Sequence, residues 1–84
     1  MDRAGMIGEI EGLLRGILDE DELTLTAEST ADSVEDWDSL AQIKLVLALE
    51  SSMAVTFDAA EVANFSNVGE LADKVLAKQH ALAS

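Results

Sequence analysis

Cysteine, proline and tyrosine are all missing from these 84 residues, and tryptophan occurs once. Without cysteine the chain has no disulfide framework, no thiolate nucleophile and no sulfur ligand for a metal. Without proline, an internal repeat or a low-complexity linker, it reads as a single domain spanning residues 1–84. A chain of this size buries about 60–65% of the surface its unfolded form exposes, enough for one modest core and no deep cleft. Basic residues are nearly as scarce, five against 17 acidic ones, for a formal charge of −12. No Lys/Arg patch is available to displace counterions from a phosphate backbone, which excludes nucleic acid as a partner. Long apolar runs are absent too: Leu45–Leu49 falls far short of the ~20 residues that cross a bilayer. Met1–Arg3 lacks the apolar stretch of a signal peptide. The expectation is a cytoplasmic monomer without a transmembrane segment.

What is present is acid and hydrophobic side chain together. With 49% of residues hydrophobic, the acidity does not imply disorder. A charge of this size exceeds the magnitude of roughly 2–8 that keeps a small domain soluble. It points to solubility alone or to partners with basic docking surfaces and a steered encounter.

Periodicity predicts helices. From Arg3 to Leu18, Met6, Ile10, Leu13, Leu14, Ile17 and Leu18 recur at three to four. Gly5, Gly8, Gly12 and Gly16 weaken that helix, so packing has to hold it. Asp19–Trp37 reads as a long acidic connection, with Leu23 and Leu25 pinned to the core and Ser33, Val34 and Trp37 tying down its end. Such long connections are often functional. A second helix starts at Asp38 or Ser39, both good cap types, and ends near Ser52. A short third helix is expected across Asp58–Ala63. Asn67 and Glu70 frame the start of the last helix, whose stripe is Val68, Leu71, Ala72, Val75 and Leu76. Its tail, Lys78–Ser84, is expected to fray.

The second helix departs from ordinary amphipathicity. At 100° per residue its apolar side chains occupy almost the whole circumference, interrupted only by Gln42, Lys44 and Glu50. A helix apolar all round normally lies inside a large protein or a membrane, and neither is available here. Ile43, Val46 and Leu49 are expected to face inward with Leu45, leaving Leu40 and Leu47 at an exposed edge. At the start of this helix, unpaired amides and the helix dipole favour a phosphate near Ser39. Ser39 has no base within reach, since His80 sits in the tail, and no metal-ligand cluster is apparent. The pattern excludes a hydrolase and indicates a non-enzymatic protein without catalytic or metal-binding residues. Glu20-Asp21-Glu22 reads as a solvated loop or a weak divalent-cation site.

The stretch Val34-Glu35-Asp36-Trp37-Asp38-Ser39-Leu40, continuing to Glu50, resembles the phosphopantetheine attachment site of acyl carrier proteins. The resemblance centres on Asp38-Ser39-Leu40 and extends to Phe65-Ser66-Asn67-Val68-Gly69-Glu70-Leu71. It implies an all-α fold, a small four-helix bundle with a long loop between the first two helices and a short third one. It also implies 4'-phosphopantetheine attached to Ser39 by a magnesium-dependent phosphopantetheinyl transferase, with Asp38 and Leu40 beside it. The arm's thiol would hold acyl groups as thioesters, which answers the missing cysteine. Acyl-loading, condensing or acyl-transfer enzymes of fatty-acid, polyketide or related biosynthesis would be partners. Their docking surface would comprise Leu40, Lys44, Leu47 and Glu50, with Glu61 nearby. Lys44 departs from the acid usual at the similar position. Trp37 reads as a loop anchor or a contact for the arm. An aminoacyl or peptidyl carrier, or an acidic helical interaction module without cargo, are the alternatives.

Overall fold

A computed structural model describes residues 2–58 and 65–83. Three helices lie among them: α1 (Arg3–Leu18), α2 (Ser39–Met53) and α3 (Val68–Ala83). The short helix expected across Asp58–Ala63 lies outside the described residues apart from Asp58, which is not helical. The architecture is an all-α bundle in which α1 packs against both α2 and α3.

Each helix contributes one buried stripe. Met6, Ile10 and Leu14 come from α1, Ala41, Leu45 and Leu49 from α2, and Val68, Leu71, Ala72 and Val75 from α3. The spacings of three and four are those of a single helix face. Fully burying a leucine such as Leu14, Leu45 or Leu49 stabilises the fold by roughly 1.5–3 kcal/mol. Such packing offsets the four exposed glycines along α1, Gly5, Gly8, Gly12 and Gly16.

Leu23 and Leu25 form no strand, because α1 side chains satisfy their backbone groups. Arg15 Nε donates to Leu23 O at 2.8 Å, and Leu25 N donates to Glu11 Oε2 at 2.8 Å. Arg15 and Glu11 also pair with each other at 3.1 Å. Leu25 is buried as a result. Further along, the connection is joined to the start of α3. Val68 N donates to Ser29 O at 2.7 Å and Gly69 N to Ala27 O at 2.9 Å. Asn67 Oδ1 accepts from Glu70 N at 2.8 Å, completing the cap expected there. A side chain at Gly69 would displace the Arg3 guanidinium and press on Ala27, so glycine lets the two segments approach with Arg3 in place.

Two expectations are corrected. Ile43 does not face inward; the inward stripe of α2 is Ala41, Leu45 and Leu49, and Ile43 is 57% exposed. The last helix continues to Ala83 instead of fraying from Lys78. Its later turns have contacts of their own: Lys78 Nζ lies 6.0 Å from the Phe57 ring centroid, and Gln79 Nε2 donates to Met53 Sδ at 3.5 Å. No described helix is long and apolar enough to cross a membrane.

Candidate functional site

The structure resolves the choice between the two caps. Asp38 is the N-cap of α2, with extended backbone angles, and its Oδ1 accepts from Ala41 N at 2.9 Å. Its carbonyl accepts from Gln42 N at 2.9 Å. Ser39 is therefore the first helical residue, and it is exposed. Among the described residues its hydroxyl has no hydrogen-bond partner, and neither do the amides of Ser39 and Leu40. A free hydroxyl stands beside two free amides at the positive end of a 15-residue helix. That arrangement suits a phosphodiester.

Trp37 fixes the approach to this helix. It is buried, and its Nε1 donates to Gln42 Oε1 at 2.8 Å, which satisfies the indole inside the fold. Its ring packs against Phe65, with centroids 6.1 Å apart and planes tilted by 34°. Gln42 Oε1 is thus engaged by the Trp37 indole. A groove of about 810 Å³ opens at Ser39 and runs along α2, with Trp37, Ile43, Val46, Leu47, Phe57 and Phe65 among its lining residues. Thr30, Asp32, Gln42 and Ser66 add polar groups to the same wall. On the other flank of α2, a cleft of about 230 Å³ is bordered by Asp36, Asp38, Leu40 and Lys44.

Between groove and cleft, α2 presents Leu40, Ile43 and Leu47, each more than half exposed. Lys44 is exposed beside them. Glu50 is half-buried and accepts from Phe57 N at 3.4 Å through Oε2, so it helps hold the chain leaving α2. Glu61 lies outside the described residues. Ile43 is the surface residue that sequence reasoning missed. Its signal was there, since Ile43 and Leu47 lie four apart, but the nearly continuous apolar circumference hid which stripe was buried.

The charge is segregated. Acids and bases balance within each helix: Glu9 and Glu11 against Arg3 and Arg15 in α1, Glu50 against Lys44 in α2, Glu70 and Asp73 against Lys74 and Lys78 in α3. The entire excess of negative charge lies in the rest of the chain. Nine of those carboxylates fall between Asp19 and Asp38, a stretch with no basic residue. Among the described residues no group of histidine and carboxylate side chains is arranged to hold a metal ion, Glu20-Asp21-Glu22 included.

No family model matches the chain, and neither does any curated protein. Among solved structures it is similar to the solution NMR structure of a holo acyl carrier protein from Geobacter metallireducens. The two share 31% identity and a TM-score of 0.83, over 93% of this chain and 90% of that one.

Proposed function

This chain belongs to the acyl carrier protein family, and from that premise we propose that Ser39 carries a 4'-phosphopantetheine arm. The observation that supports the site is the division of labour at the start of α2: Asp38 caps the helix, and the Ser39 hydroxyl is left exposed and unbonded among the described residues. When attached, the arm supplies a thiol that holds acyl groups as thioesters. The chain is the carrier and not an enzyme; a phosphopantetheinyl transferase installs the arm from coenzyme A with magnesium. The Ser39 and Leu40 amides donate to the phosphate, and the α2 dipole favours its charge. Asp38 Oδ1 is committed to Ala41 N, and Asp38 would assist at the modification site by positioning the groups that meet there. Ile43, Val46, Leu47 and Phe57 give the groove an apolar wall on which an acyl chain rests out of water.

Partners of the loaded form are acyl-loading, condensing or acyl-transfer enzymes of fatty-acid, polyketide or related biosynthesis in the cytoplasm. They meet α2 at Leu40, Lys44, Leu47 and Glu50, with Glu61 contributing from beyond the described residues. Incubation with coenzyme A and a broad-specificity transferase, followed by intact mass measurement, tests the site. One arm's mass is added to the native chain and none to Ser39→Ala. Equal gain by both proteins, or by neither, overturns the assignment.

A further inference from the structure

Lys44 stands apart from the other cations of this molecule. Arg3 pairs with Asp73 at 3.1 Å, Arg15 with Glu11 at 3.1 Å and Lys74 with Glu70 at 3.8 Å, while Lys78 lies over the Phe57 ring. Lys44 has no ion pair, hydrogen bond or ring contact among the described residues, in a chain with 12 excess negative charges. Asp36 and Asp38 border the same cleft, yet neither forms an ion pair with it. In so acidic a molecule, an unpaired ammonium on the most apolar exposed face marks where the surface differs from everything around it.

Helix geometry puts this charge inside any contact made on that face. Lys44 follows Leu40 by four residues and precedes Leu47 by three, so all three are surface neighbours. A protein that covers Leu40, Ile43 and Leu47 also strips water from Lys44. Desolvating an ammonium ion without a partner is costly, and a purely apolar socket does not return that cost. A basic socket adds repulsion to that cost. We infer that the partner docking on α2 presents an aspartate or glutamate side chain to Lys44, set in an apolar socket for Leu40, Ile43 and Leu47. The anion is not the arm's own phosphate, because Lys44 lies about 140° around the helix from Ser39 at 3.6 residues per turn. Basic groups of the same partner face the Asp19–Asp38 connection, where nine carboxylates supply the long-range attraction. The charge on α2 thus acts as a selector, disfavouring enzymes whose sockets are basic throughout.

This inference rests on the carrier reading, and its test keeps the two separate. The arm is first installed on the native chain and on Lys44→Met and Lys44→Glu, with intact mass as the control. The source organism's acyl-loading enzyme, identified by thioester formation on the native holo chain, is then assayed with all three. KM for the holo chain is expected to rise about tenfold or more with Lys44→Glu and less with Lys44→Met, at similar kcat. Carbodiimide, which joins amines to carboxylates in direct contact, is expected to couple Lys44 to an Asp or Glu of that enzyme. At physiological ionic strength, where repulsion is screened, melting temperatures change little, since Lys44 makes no ion pair or side-chain hydrogen bond among the described residues. An unchanged or lower KM for Lys44→Glu, or coupling confined to this chain's carboxylates and the enzyme's lysines, overturns the inference while leaving the arm in place. Failure to load the arm at Ser39 removes the carrier reading and this inference with it.

Discussion

At the scale of single residues, Asp38 and Ser39 show how adjacent polar side chains acquire different tasks. Both suit a helix start, but only the residue with extended backbone angles aims its side chain back at the first-turn amides. Asp38 occupies that position, so removing its carboxylate removes the cap. Asp38→Ala is expected to lower stability by about 1 kcal/mol, or roughly 4–8 °C in melting temperature for a domain of this size. Asp38→Asn retains most of that stability. A calorimetric melt in which Asn is as damaging as Ala contradicts the capping role. Ser39 was legible as a candidate through the Asp38-Ser39-Leu40 motif, whereas its freedom from capping was not. That freedom depends on the backbone angles of Asp38, which local composition does not encode. Family membership supports the motif reading, and loading at Ser39 is what the mass measurement decides.

Among the elements, α1 and α2 carry glycine and alanine in each other's favoured places. Gly8 and Gly12 lie on the solvent face of α1, where an added methyl group meets nothing within 4 Å. Ala54 instead ends α2 in the left-handed region at φ 54°, a conformation that glycine adopts more readily. Gly8→Ala, Gly12→Ala and Ala54→Gly should each therefore stabilise the protein, by up to about 1 kcal/mol. Urea denaturation checks this, and a lower midpoint for any of the three counts against its explanation. The bounds of α1 were readable because one apolar stripe alternates with polar positions. On α2 the stripe was not, since Ile43, Leu45, Val46, Leu47 and Leu49 give several directions nearly equal hydrophobicity. Tertiary packing breaks that tie by choosing Ala41, Leu45 and Leu49, and it leaves Ile43 outside. The connection before α2 was legible as a pinned loop through Leu25, but its pins, Glu11 and Arg15, sit one element away.

For the whole molecule, the separation of neutral helices from acidic connections sets the response to ions. Nine carboxylates within twenty consecutive residues repel one another most strongly when folding draws them together. Raising ionic strength from low to physiological shortens the Debye length to ≈ 8 Å and relieves this repulsion. The melting temperature is expected to climb over that range, and the triple substitution Glu20→Gln, Asp21→Asn, Glu22→Gln to flatten the climb. A flat salt response in the unaltered protein contradicts this account. The same connection also sets the optical character of the molecule. It ends at the one indole in a chain that has no phenol, hydrogen-bonded through Nε1 and lining the groove that begins at Ser39. Excitation at the red edge of the protein's ultraviolet absorption is therefore taken up by a single chromophore, and its emission reports the polarity of that one groove wall. The protein carries its own fluorescent gauge, two residues from the serine proposed to carry the arm.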